Sequence, residues 1–184
     1  MTPITLTAPR NLWHWLELYN LYHQAFPRAE RKPFFVILQS WRKGKMDIWC
    51  LRRQGRFVGL AITINGEPLT LIDYLAVAKK HRGAGIGTAA LAALREKYTG
   101  KALFLEIESV YESAPNQAER QRRKQFYLRC GLTPMQVMVT LFGVKMELLG
   151  FDCKITYDQY LAFYRENLGA WAAKHISPQI HPEA

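Results

Sequence analysis

The sequence predicts a mixed α/β fold: a central, mostly antiparallel sheet flanked by helices. Three observations predict it. Two segments with apolar residues at helical spacing open the chain. A block of strand-like segments separated by tight-turn signals follows, and strand and helix then alternate around a glycine-rich turn. The 184 residues, 49% hydrophobic and 22% charged, suit one globular domain with a substantial core and argue against disorder.

Residues 11–25 place Leu12, Trp15, Leu16, Tyr19 and Tyr22 at helical spacing, with Asn11 as the N-cap. Pro27 stops that helix, and Pro33 starts a second one that runs to about Lys43. Met46 to Leu51 and Arg56 to Ile64 read as strands joined by a turn at Gln54-Gly55. Asn65-Gly66 turns the chain into a third strand, Leu69 to Ala78. After the glycine-rich run a helix extends to about Tyr98, and Thr99-Gly100 ends it. Ala102 to Glu108 is a further strand, and Ala118 to Cys130 a helix with Gly131 at its C′ position. Met135 to Leu149 reads as two strands broken near Phe142-Gly143. An amphipathic helix over 156–174 presents Tyr157, Tyr160, Leu161, Tyr164 and Leu168, and residues 177–184 are expected as a flexible tail. The whole reads as a single domain over 1–176.

Twenty-five basic residues against 15 acidic ones leave a net charge of +10. That balance favours an anionic partner, whether nucleic acid, a membrane surface or a phosphate-rich ligand, without choosing among them. No apolar run approaches the roughly 18 residues that span a bilayer, so no membrane is expected. Residues 1–10 lack the basic start and apolar stretch of a secretory signal, so the expected location is cytoplasmic. Cys50, Cys130 and Cys153 are odd in number and form no CxxC pair, which points to neither a disulfide framework nor a metal site.

The most informative stretch is Leu71 to Leu94. A strand runs into Lys79-Lys80-His81-Arg82, then Gly83-Ala84-Gly85-Ile86-Gly87, then an alanine-rich helix. Small residues let the backbone approach a ligand, and the first N–H groups of a helix lack internal partners. With the helix dipole they suit a phosphate group. The P-loop pattern is absent, since no Gly-Lys-Ser or Gly-Lys-Thr occurs. Gly85, Gly87 and Ala90 spell the GxGxxA of a dinucleotide site, with Glu106 downstream. A basic stretch intervenes between strand and glycines, however, and antiparallel strands precede it.

Arg82-Gly83-Ala84-Gly85-Ile86-Gly87 resembles the R/Q-x-x-G-x-G/A signature of the GNAT superfamily of N-acetyltransferases. The strand ending Leu75-Ala76-Val77 looks like that family's fourth strand, and Phe126-Tyr127-Leu128-Arg129-Cys130-Gly131-Leu132 resembles its FYxxxGF segment. The resemblance covers about residues 57–132. It implies acetyl-CoA as cosubstrate and no metal, with acetyl passing directly to a primary amine in a ternary complex. It also implies that the amides of Gly83, Ala84, Gly85, Ile86, Gly87 and Thr88 hold the coenzyme A diphosphate, with Arg82 opening the loop. The backbone of Ala76 and Val77 would pair with the pantetheine arm where the sheet splays.

Acetyl transfer needs a deprotonated amine and a proton for the departing thiolate. By the resemblance, Tyr127 is the acid; the alternative is an aromatic packed beside Phe126. Strand alternation puts Phe104, Glu106 and Glu108 on one face. Glu106 resembles the base of the ribosomal-protein alanine acetyltransferases, and two carboxylates on one face should repel and raise at least one pKa. Asp73 is the second base candidate and Glu108 the third; each competes with a structural ion pair to Arg120, Arg122 or Arg123. Twenty-one positions separate Glu106 from Tyr127, more than in the resembling enzymes, so 109–117 is an insertion that shifts Asn116 from its register. Glu30, among Trp13, Trp15, Phe26, Phe34, Phe35 and Trp41, is expected to meet a cationic acceptor, as is Glu108. Two other classes compete: an acyl-CoA sensor without turnover, and a nucleic-acid module built on the Arg120, Arg122, Arg123 and Lys124 run. Nucleic acid is not favoured, because Glu112 and Glu119 sit close by and no reader motif is present. A monomer and a homodimer both fit, and the sequence does not name the acceptor.

Overall fold

A computed structural model describes residues 3–28 and 30–180. The elements in chain order are β1 (Thr5–Thr7), α1 (Leu12–Ala25), α2 (Phe34–Arg42), β2 (Met46–Arg53), β3 (Arg56–Asn65) and β4 (Leu69–Val77). A short 3₁₀ turn at Lys79–His81 precedes α3 (Ile86–Lys97), β5 (Ala102–Glu108) and α4 (Gln117–Arg129). Then come β6 (Thr133–Leu141), β7 (Val144–Gly150), α5 (Tyr157–Leu168), α6 (Ala170–Ala173) and β8 (Ile176–Gln179). The strands form one eight-stranded sheet in the order β1-β2-β3-β4-β5-β7-β6-β8. β1/β2, β2/β3, β5/β7, β6/β7 and β6/β8 are antiparallel, and α3 is the helical crossover between β4 and β5. This is the mixed α/β fold that the sequence predicts.

Backbone contacts divide the chain into two compact units: the chain up to Asn65 with Ile72–Thr99, and Gly66–Leu71 with the chain from Gly100 onward. In the first unit the Asn11 side chain caps α1 by accepting from the His14 N–H at 3.0 Å. The helix buries Leu18, Leu21 and Tyr22. Tyr98, at the end of α3, is held by three polar groups. Its hydroxyl donates to Asp47 at 2.8 Å, accepts from Trp49 Nε1 at 3.0 Å and lies 2.6 Å from Thr63 Oγ1. Inside β3, Gly59 has no room for a side chain: a Cβ there would fall well inside contact with the Ala76 carbonyl oxygen and touch Leu51 at 3.0 Å. Gly59→Ala should therefore destabilise the protein by about 1–3 kcal/mol, read as a lower midpoint in urea at unchanged slope. A variant as stable as wild type would show that β3 and β4 move apart at little cost.

In the second unit, α4 ends in a Schellman turn: the Leu132 N–H reaches the Tyr127 carbonyl at 3.2 Å and the Gly131 N–H the Leu128 carbonyl at 3.0 Å. Gly131 has φ +91° and is the expected C′ residue. Phe142 (φ +48°) and Gly143 (φ +83°) make the tight turn between β6 and β7. Thr156 and Gln159 form a capping box at the start of α5.

Two expectations change, and one strand is added. The helix over 156–174 is two helices, because Gly169 adopts φ +92° and ψ 164° and breaks it. Residues 177–179 are not tail but part of β8, in register with β6 from Met138↔Gln179 to Leu141↔Ile176; the expected tail beyond Ile180 lies outside the described residues. The three-residue β1 has too few residues for a pattern, and only its pairing with β2 makes it a strand. Among the described residues no helix is long and apolar enough to cross a membrane.

Candidate active site

The glycine turn lies in the first unit. Gly83 has φ +78° and Gly85 φ +71°, so both use the left-handed region that glycine enters without strain. Gly85 is the N-cap of α3 and offers no capping side chain; the N-terminal end of a helix, with its N–H groups and positive dipole end, is where an anion is favoured. A Cβ on Gly83 would meet nothing within 4 Å; the residue is small for its conformation, not for packing. Arg82 turns back on the chain, its Nε donating to the Val77 carbonyl at 3.2 Å. A cleft beside the turn is lined by Arg53, Gln54, Arg56, Val58, His81, Ala84 and Ile86. The two arginines of the β2–β3 hairpin thus join the basic stretch, a contribution that the sequence hid among ordinary surface charges.

The end of β4 presents its backbone unequally. The Ala76 carbonyl lies against Gly59 of β3, and neighbouring residues of a strand direct their backbone groups to opposite edges. Val77 therefore serves the edge away from β3.

Asp73 is not an open base. Its side chain is 8% exposed, and both its oxygens accept from Lys32 Nζ, at 2.7 and 2.8 Å. Lys32 also sits over the Tyr74 ring at 5.3 Å. The sequence suggests an arginine of α4 as the ion-pair partner of Asp73; the partner is Lys32, 41 positions away. The Tyr74 hydroxyl donates to the Glu30 carbonyl and accepts from the Lys32 N–H, both at 3.0 Å. Tyr22 donates to the Lys32 carbonyl at 3.0 Å. These bonds fasten the segment between α1 and α2 onto β4. Glu30 is exposed there. Tyr22, Phe26 and Tyr74 pack on one another, whereas Trp13 and Phe35 are 74% and 63% exposed.

The second unit holds the other three candidates. Glu106 is half-buried, and its Oε1 accepts from Tyr160 at 2.7 Å and from Tyr164 at 2.8 Å; Tyr164 lies 3.0 Å from Oε2. Glu108 binds Arg120 at 2.6 Å and Arg123 at 3.6 Å. Its expected alternative, a structural ion pair, is what forms. The two carboxylates share a face, but each has its own donors, which removes the basis for expecting mutual repulsion to dominate. Tyr127 is half-buried beside Phe126, with ring centroids 5.2 Å apart. Burial pushes its phenol above the ordinary value while Arg123 acts in the opposite sense, so it stays protonated throughout the neutral range.

The segment 109–117, expected as an insertion, is built into the unit. Ser109 is fully buried, and its N–H donates to the Lys145 carbonyl at 2.9 Å. Arg120 donates to the Ser109 carbonyl at 3.2 Å and Gln117 to the Val110 carbonyl at 2.5 Å. Asn116 lies 3.4 Å from Glu108. The buried Glu147 accepts from the Val110 N–H at 2.8 Å and from Lys124 Nζ at 2.5 Å. The basic run of α4 is thus largely spent on internal carboxylates.

Cys50 and Cys153 are not set up as nucleophiles: burial raises both thiols, that of Cys50 to about 11 against a weaker opposing effect of Arg52.

The family described as the GNAT acetyltransferases matches residues 15–132, more than half of the chain. A search of the curated proteins finds no match. Among solved structures, a GNAT-family acetyltransferase of Bacteroides thetaiotaomicron superposes with a TM-score of 0.74 at 17% identity, covering 92% of this chain and 98% of that one. An aminoglycoside 6′-N-acetyltransferase complexed with coenzyme A has a TM-score of 0.63 at 16% identity, over 80% and 94%. A ribosomal-protein alanine N-acetyltransferase from Escherichia coli has 0.60 at 15%, over 83% and 96%. At these identities the structures share the fold, while the family match runs through the glycine turn, the carboxylate strands and the Tyr127 helix; the chain belongs to the GNAT acetyltransferase family.

Proposed function

We propose that the protein is an N-acetyltransferase that moves acetyl from acetyl-CoA to a primary amine by direct attack. The observation that carries this reading is the pair of left-handed glycines ahead of an uncapped helix N-terminus, within a chain that matches the family over that stretch. When bound, acetyl-CoA supplies the activated acyl group. The amides of residues 83–88 hold its diphosphate; Arg53 and Arg56 add positive charge; and Val77, rather than Ala76, offers backbone pairing to the pantetheine arm.

Of the three carboxylates, Glu106 is the one suited to take the amine proton. Asp73 and Glu108 rest on lysine and arginine, which only donate, so protonating either would break a charged pair. Two partners of Glu106 are phenols, which both donate and accept and can turn to receive a hydrogen bond from the protonated acid. Tyr127, kept protonated by burial, returns a proton to the thiolate.

Isothermal titration with acetyl-CoA tests the reading, followed by an amine panel with thiol detection. We expect Kd in the micromolar range and thiol release with at least one amine; absence of acetyl-CoA binding would sink the proposal. Binding without turnover would favour the acyl-CoA sensor. Tyr127→Phe and Glu106→Gln should each lower kcat by about 10²–10⁴-fold with acetyl-CoA affinity kept, the range for a lost general acid or base. Unchanged kcat in either variant would remove that residue from the mechanism.

A further inference from the structure

Tyr160 and Tyr164 sit on α5, beyond the residues that the family match covers. Both tyrosines are buried, 0% and 2% exposed, while the glutamate they hold is only partly buried. The i, i+4 spacing stacks the two side chains on one face of the helix, with ring centroids 4.9 Å apart. Tyr160 also lies across Phe104, two residues before Glu106 on the same face of β5. The rings are thus fixed by packing, and their hydroxyls converge on a single oxygen of Glu106. The three contacts of 2.7–3.0 Å come from two fixed hydroxyls at a part-exposed position, where mobile water could serve instead.

We propose that Tyr160 and Tyr164 are positioning residues for Glu106: from a helix outside the matched family segment they hold its carboxylate in one orientation and favour its ionised form until it takes a proton. This rests on the base role given to Glu106 above. Glu108, on the strand of Glu106, is neutralised by Arg120 and Arg123 of α4. On β7 the residue opposite is Leu148, which is apolar and buried. α5 supplies the two phenols. A hydrogen bond to the charged form of an acid lowers its pKa, so removing one should raise it.

The test is a carbon-detected NMR titration of protein labelled at the glutamate carboxyls, with the Glu106 signal identified by its loss in Glu106→Gln. In Tyr160→Phe and in Tyr164→Phe the Glu106 midpoint should rise by about one pH unit, the size of a lost hydrogen bond to a charged group. A role confined to packing would lower thermal stability and leave the midpoint in place, and that result overturns the proposal. If Tyr164→Phe does not fold, Tyr160→Phe decides alone, since it removes one contact and leaves the other two. Acetyl-CoA titration of the same wild-type sample separates the two failures. An unmoved midpoint with cofactor binding intact rejects the positioning role only, whereas a protein that binds no acetyl-CoA rejects the transferase reading whatever the midpoint does.

Discussion

Gly85→Glu is expected to lose acetyl-CoA binding by about a hundredfold or more, equivalent to about 2.7 kcal/mol. Two effects act together. The residue sits at φ +71° and ψ 9°, where a side chain costs roughly 1–2 kcal/mol. The new carboxylate also stands at the positive end of α3, in the place where the diphosphate would lie, and repels it. Gly85→Ala should show the first effect alone, and that cost falls on binding only as far as the strained turn relaxes when empty, so the loss should be at most about tenfold. Titration calorimetry on wild type and both variants separates them. Equal affinity in wild type and Gly85→Glu would move the cofactor away from this turn and take the main support from the proposed function.

Lys124→Met should destabilise the protein by about 3–5 kcal/mol, because it strands the Glu147 carboxylate in the interior. Glu147 is 2% exposed, and its side chain pairs with a lysine whose own side chain is 12% exposed. Urea unfolding at constant slope gives the number. The double variant Lys124→Met/Glu147→Leu should recover most of the loss, since the charge is gone. Recovery should be incomplete, because the Val110 N–H then lacks its acceptor. A loss below about 1 kcal/mol in the single variant would put the pair among surface bridges in its effect. The pH dependence follows from Lys124. Burial opposes its charge, yet the Glu147 carboxylate outweighs burial and leaves the pKa above the ordinary 10.5. A raised pKa on a cation contributes stability that is full below the unfolded value and falls as the pH climbs through the folded one. The Lys124 contribution should therefore hold through neutral pH and fade only in strong alkali.

Local signals carried much of the fold. The Asn11 cap, the Gly131 C′ position, the Phe142-Gly143 turn and the bounds of β5 depend on neighbouring residues, and each appears where the pattern put it. The break at Gly169 was equally local but lay inside a convincing apolar repeat, which outweighed one glycine in the reading. β1 and β8 were illegible for another reason: short edge strands acquire their identity from a partner, β2 or β6, and not from their own alternation.

For the site, the sequence by itself determined the glycine turn and the candidate acids and bases, because backbone permissiveness and titratable chemistry belong to individual residues. What each carboxylate meets comes from the tertiary structure. Asp73 meets Lys32 across 41 positions, and Glu106 meets Tyr160 across 54. No periodicity reaches that far: such contacts are set by how strands and helices pack, and the partner that packing supplies decides whether a carboxylate is locked in an ion pair or left able to accept a proton.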